Sequence, residues 1–74
     1  MKAVIQINDE VGWPWANSVA TGRVIEIIHS RHQIESKGKL ITRNGTHKNP
    51  AVVIKSNKGA MVLKLAHEIQ KISN

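Results

Sequence analysis

The stretch from residue 51 to residue 65 decides the fold class. It reads AVVIK over residues 51–55, SNKGA over 56–60 and MVLKL over 61–65. The two outer segments carry the β-branched and aliphatic residues that strands favour. Residues 56–59 between them are turn-forming, and two apolar runs joined by such a turn predict a β-hairpin.

The strongest single strand signal lies upstream, at residues 23–29, which read RVIEIIH and include four β-branched residues in seven. The apolar residues of this segment occupy both faces instead of alternating. That pattern favours a strand bent between two sheets, as small barrels have. Residues 3–7, which read AVIQI, predict a short N-terminal strand that ends at a turn formed by Asn8 and Asp9.

Turn-forming residues separate the next extended segments. Residues 11–15 predict one such segment, and small and polar residues follow it up to Gly22, where the strand at 23–29 begins. Residues 33–36 and 40–42 are predicted to be extended on either side of a turn at residues 37–39.

Two further signals lie towards the C-terminus. Asn44 and Gly45 form the best hairpin-like dipeptide in the chain, because both residues tolerate positive φ. They open a loop that ends at Pro50, and the residue before a proline avoids the α region, so Pro50 marks the entry to a strand. Apolar residues recur at every third position from Ala66 to Ile72, and this spacing predicts a helical turn or two.

These segments predict an all-β fold in a single domain over residues 1–74. Its size fits an SH3-like small antiparallel barrel of about five strands with a short C-terminal helical turn. An OB-fold would need a longer chain and a helix in the middle of the sequence. The predicted core consists of one tryptophan together with Val24, Ile25, Ile27, Leu40, Val52, Ile54 and Leu63.

Composition bounds the class of protein. The chain has 74 residues, 41% of them apolar, and no cysteine, so it has no disulfide framework, thiolate zinc site or cysteine nucleophile. No apolar run approaches the ~20 residues that span a bilayer, and we expect a soluble cytoplasmic protein. Eleven Lys and Arg against five Asp and Glu give a net charge of +6, which favours polyanions or acidic partners.

Catalytic patterns are missing from the sequence. The five acidic residues are dispersed, and no motif links a hydroxyl to a histidine and an acid. His29 and His32 follow a strand, where a separation of three turns the side chains to opposite faces, so they do not form a metal pair. We expect a non-catalytic binding module without cofactor or metal.

Trp13 and Trp15 are the two aromatic residues of the chain and are the first candidate ligand-binding residues. Two positions apart on a strand, they point to one face. Either they form a stacking platform, or one fills the core while the other covers its rim. Pro14 cannot donate to a ladder, which predicts a sheet edge or a bulge. SH3-like folds take peptide ligands beside such aromatic edges.

Basic side chains are the second set of candidates. If two hairpins converge on one face, these cations could bind nucleic acid weakly and without sequence preference, as an alternative to a protein or peptide at the tryptophan edge. A third possibility is homodimerisation at the Pro14 edge. The candidate cations are Lys37, Lys39, Arg43, Lys55, Lys58 and Lys64.

Several short motifs follow one another along the chain. They are Trp13-Pro14-Trp15, Gly22 before Val24-Ile25-Glu26, Lys37-Gly38, Ile41-Thr42-Arg43-Asn44-Gly45-Thr46, Asn49-Pro50-Ala51, and Val62-Leu63-Lys64 with Glu68. In this order the sequence resembles the hypervirulence-associated TUDOR-domain proteins, a small bacterial and fungal family, over about residues 10–72. The resemblance implies an SH3-like or Tudor-like β-barrel and brings no established biochemical activity with it.

The chain departs from the family pattern in two respects. Val52 stands where similar members have an aromatic residue, and basic residues such as Lys48 and Lys58 stand where members tend to be acidic. Capture of methyl-lysine or methyl-arginine needs a cage of about three or four aromatic rings. With two Trp and no Phe or Tyr, the chain is not expected to bind methylated ligands.

Overall fold

The computed structural model describes residues 4–72. The strands form a five-stranded antiparallel sheet in the order β6-β5-β2-β1-β7 and a separate two-stranded sheet, β3-β4. The all-β antiparallel fold is therefore confirmed. No helix within residues 4–72 is long and apolar enough to cross a membrane. The elements are β1 Glu10–Trp15, β2 Ser18–Ile28, β3 Arg31–Ser36, β4 Lys39–Asn44, β5 Ala51–Ser56, β6 Met61–Leu65, a 3-10 turn Ala66–Glu68, and β7 Gln70–Lys71.

The predicted hairpin at residues 51–65 is confirmed as β5 and β6, which pair in antiparallel register with Val53 opposite Leu63. The run from Ala51 to Ile54 is buried without interruption. Such continuous burial is typical of a strand that is covered on both faces. Val52 and Ile54 pack into one core, and Ala51 and Val53 pack into another.

β5 thus separates two hydrophobic cores. Side chains from the β3–β4 hairpin, Ile34 and Ile41, cover the second of them. The first core contains Val11, Trp13, Val24, Val52 and Ile54. The second core contains Ala51, Val53 and Leu63.

A β-bulge explains why the apolar residues of β2 do not alternate. The register shifts between Val24, which faces Ile54, and Glu26, which faces Val53. The extra residue is Ile25, which is 42% exposed, so its predicted place in the core is wrong. After the bulge the parity is reversed, and Ile27 packs on the first core.

The start of β2 was also predicted wrongly. β1 and β2 form a hairpin with a two-residue turn, Ala16 and Asn17, and β2 begins at Ser18. Ala16 takes the positive φ of 55° that this turn requires, although alanine gives no such signal in the sequence. Gly22 therefore lies inside β2. A Cβ at that position would come within 2.6 Å of the Lys55 carbonyl oxygen, so the close approach of β5 requires glycine.

The predicted N-terminal strand is wrong over residues 4–7; residue 3 lies outside the described residues. Residues 4–6 have no regular structure, and a turn begins at Ile7. β7 occupies the place beside β1 where such a strand could have paired. The segment is held instead by the Asn8 amide, which donates to the Val24 carbonyl at 2.8 Å.

Asn44 and Gly45 do not form a hairpin, because β4 pairs with β3 and not with β5. Gly45 has a different role. A Cβ there would lie between 2.5 and 2.7 Å from the Ile28 oxygen, the Ala51 nitrogen and the Ser30 oxygen. Glycine at this position allows three backbone segments to come together.

Two other predictions need correction. Leu40 is 68% exposed on β4 and is not part of the core, whereas its neighbour Ile41 packs on the second core. The predicted helical turn is limited to Ala66–Glu68, after which the chain extends into β7 beside β1. The remaining predicted core residues lie in the two cores or pack against them, and the prediction missed Val11, Ala51 and Val53.

Candidate binding site

The two tryptophans have different environments. Trp13 is opposite Ala20 and lies in the first core with 4% of its surface exposed. Trp15 is opposite Ser18 at the end of the β1–β2 hairpin and is 64% exposed. Strand alternation gives both rings the same side of β1, but the core ends before Trp15. Trp15 is therefore the ring that a ligand can reach.

Pro14 lies at a sheet edge, as predicted. Within residues 4–72, β7 pairs with β1 at Val11 and Gly12, so Pro14 has a neighbouring strand on the β2 side alone. In a hairpin closed by the pair Trp15 and Ser18, Pro14 directs its backbone groups away from β2. Proline has no N–H, so this edge offers a carbonyl acceptor and no donor.

Apolar side chains also cover the opposite face of the hairpin. A Cβ on Gly12 would lie 3.2 Å from Val19 Cγ1 and 3.0 Å from Ile72 Cδ1. Val19 and Ile72 therefore lie close together, and they are 64% and 49% exposed. Pro14 is the cross-strand partner of Val19. We call residues 14–19 the hairpin tip; it presents apolar groups on both faces.

The predicted cations do not form one patch with the tryptophans. Lys37 and Lys58 line one shallow depression of about 350 Å³, between the β3–β4 turn and the β5–β6 turn. Glu35 lines the same depression, and neither tryptophan does. Lys39 begins β4 opposite Ser36. Lys55 is exposed on β5, with Arg23 of β2 as its cross-strand partner.

Arg43 and Lys64 lie near Glu68. Arg43 Nε donates to Glu68 Oε1 at 3.1 Å, and the Leu65 amide donates to the same oxygen at 2.7 Å. Partial burial acts to raise the pKa of Glu68, but the Leu65 hydrogen bond, then Arg43, then the charge of Lys64 outweigh it, so the pKa is lowered. Arg43 therefore links β4 to the end of β6 and is not free for a ligand.

A cleft of about 950 Å³ was not anticipated from the sequence. Its histidines come from three separate segments, and their distance along the chain hid this arrangement. Among residues 4–72, no group of three or more His, Asp or Glu side chains is arranged to hold a metal ion. The polar residues that line the cleft include His29, His47, Lys48, Asn49, His67 and Lys71.

These features define a small all-β domain of two antiparallel sheets with an exposed, uncharged hairpin tip. The chain belongs to the family described as hypervirulence associated proteins TUDOR domain, which it matches over residues 9–69. The resemblance predicted from the sequence is therefore confirmed. Neither a curated protein nor a solved structure matches the chain significantly.

Several residues of the motifs that resemble the family make contacts that stabilise the fold. Gly22 and Gly45 allow close backbone approaches, and the ion pair of Arg43 with Glu68 joins the two sheets. Asn49 accepts a hydrogen bond from the His67 amide at 3.0 Å and so fixes the loop before β5. These contacts hold segments of the fold together.

Proposed function

We propose that this protein is a non-catalytic binding module that takes a protein or peptide segment at the hairpin tip, with Trp15 as the anchor. One observation carries the proposal. In a chain of net charge +6, residues 11–22 contain no charged residue. The hairpin tip lies within this uncharged stretch and exposes Trp15 and Val19. Interface centres are depleted of charge and enriched in tryptophan.

The proposed partner binds through its side chains. Pro14 leaves the β1 edge without a donor, so addition of a partner strand is disfavoured there, and the same argument disfavours a homodimer through this edge. An apolar segment that contains proline or an aromatic residue can instead stack on the Trp15 ring. An SH3-like barrel, with the β3–β4 hairpin closing over the second core, belongs to this proposal and is supported by the packing of Ile34 and Ile41.

A displayed peptide library tests this function. Peptides selected on the natural protein should bind the Trp15→Ala variant about thirtyfold or more weakly, because loss of a central tryptophan anchor typically costs about 2 kcal/mol or more. Leu40→Ala is the matched control, since Leu40 is similarly exposed but lies on β4. Equal affinity for the natural protein and Trp15→Ala, or an equal loss in Leu40→Ala, would contradict the proposal.

Nucleic-acid binding through the basic hairpins is the second candidate. The observation in its favour is that Lys37 and Lys58 line one depression. Glu35 in the same depression and the engagement of Arg43 by Glu68 count against it. Titration with a single-stranded oligonucleotide distinguishes the two candidates, because each neutralised phosphate adds about 0.7 to the log-log salt slope. Peptide binding at the uncharged tip should be nearly independent of salt.

A further inference from the structure

The 950 Å³ cleft has the size of a small-molecule site, since such pockets measure about 300–1,000 Å³. Its apolar lining includes Ile5, Ile27, Ala66 and Ile69, all of which pack against the first core. The cleft thus combines a floor supported by the core with a polar rim.

The rim is basic. It contains three histidines, which come from the end of β2, from the loop before β5 and from the 3-10 turn, together with Lys48 and Lys71. No carboxylate is among the described residues that line the cleft. The rings of His29 and His47 are 5.8 Å apart. Lys71 Nζ is 3.4 Å from Asp9, which offsets its charge. Lys48 has no ion pair within residues 4–72 and is the principal cation of the rim.

Hydrogen bonds with Asn49 determine the tautomer of the His67 ring. The His67 amide donates to Asn49 Oδ1 at 3.0 Å, which fixes the orientation of the side-chain amide. Asn49 Nδ2 therefore donates to His67 Nδ1 at 2.7 Å. His67 is the Nε2–H tautomer in this arrangement, and Nε2–H remains as a donor for a ligand.

We propose that this cleft binds a small organic oxyanion, with its phosphate, sulfate or carboxylate head at the Lys48 and histidine rim and its apolar body on the floor. The basic rim, to which no described lining residue contributes a carboxylate, favours an anion. The apolar floor supported by the core favours a small molecule with an apolar body over a polymer. The site does not overlap the hairpin tip, so it does not depend on the function proposed there.

Amide chemical shifts during titration with benzenesulfonate test this inference, and benzenesulfonamide is a neutral probe of nearly the same shape. Benzenesulfonate should shift the amides of His29, Lys48 and His67, whereas benzenesulfonamide and inorganic sulfate should bind more weakly. Lys48→Ala should weaken binding about fivefold, as expected for a single charged contact at a partly exposed site. Lys58→Ala, which removes a cation from the other depression, should change the affinity less than about twofold.

The double variant His29→Ala, His47→Ala gives a second readout, because it removes two of the three imidazole rings that line the cleft. This variant should bind benzenesulfonate more weakly than the natural protein, because it loses two rings that can donate an N–H to the oxyanion. Benzenesulfonamide binding as tightly as benzenesulfonate, equal losses in Lys48→Ala and Lys58→Ala, or cleft shifts with an oligonucleotide alone would overturn the proposal.

Discussion

Gly45 lies where the end of β2, the end of β4 and the start of β5 come closest. The φ of Gly45 is not in the left-handed region, so glycine is required here because it lacks a Cβ. Gly59, in the β5–β6 turn, is the opposite case. Its φ is 87°, and an added Cβ would meet nothing within 4 Å. Substitution of Gly45 therefore tests the effect of steric crowding, and substitution of Gly59 tests the effect of backbone conformation.

Gly45→Ala should lower the free energy of unfolding by about 2–3 kcal/mol, because overpacking at a tight site costs about 1–3 kcal/mol and the crowding atoms here are backbone. Gly59→Ala should lower the free energy of unfolding by about 1–2 kcal/mol, because a residue with a Cβ is less stable in the left-handed conformation by that amount. Urea denaturation measures both values. A smaller loss for Gly45→Ala than for Gly59→Ala would show that the three segments are not packed as described.

At the scale of elements, an ion pair joins the β3–β4 hairpin to the rest of the molecule, in addition to the packing of Ile34 and Ile41 on the second core. Arg43 on β4 and Glu68 after β6 belong to different parts of the fold, and their side chains are 32% and 29% exposed. The lowered pKa of Glu68 means that its ionised form stabilises the folded state. This stabilisation is complete above the pKa of the unfolded chain and is lost as the pH falls through the folded pKa.

Glu68→Gln should reduce the free energy of unfolding at neutral pH by about 1 kcal/mol, since glutamine still accepts from the Leu65 amide but loses the charge opposite Arg43. The difference from the natural protein should shrink as the pH falls below about 4.5, where the unfolded carboxyl takes up its proton. Denaturation curves across this range measure it. Glu35→Gln, an exposed control on β3, should change the free energy of unfolding at neutral pH by less than about 0.5 kcal/mol. A difference for Glu68→Gln that stays constant with pH would contradict the assigned role.

Elements differed in how well the sequence predicted them. The β5–β6 hairpin was predictable because both strands and their turn are encoded locally in residues 51–65. The bulge at Ile25 was not, because its exposure depends on which residues of β5 lie opposite. The turn at Ala16 and Asn17 lacks the usual glycine, and the cleft joins histidines that are distant in the chain. Such features depend on tertiary contacts, so local secondary-structure propensity does not predict them.

At the scale of the whole molecule, β5 stabilises the fold through cores on both of its faces. Leu63→Ala should lower the free energy of unfolding by about 2–5 kcal/mol, because Leu63 is 1% exposed in the second core. Leu40→Ala removes the same atoms from a residue that is 68% exposed, and it should stay within about 0.5 kcal/mol of the natural protein. Thermal or urea unfolding compares them, and similar losses would refute the two-core arrangement.

An NMR titration with a library-selected peptide tests most directly whether the hairpin tip is the binding surface. The signals to follow are the two indole N–H groups. Trp13 is buried and Trp15 is exposed, so the two signals report the core and the tip separately. We expect the Trp15 indole and the amides of residues 14–19 to shift, while the Trp13 indole changes little. Shifts centred on Lys37 and Lys58, with the Trp15 indole unmoved, would contradict the proposed function.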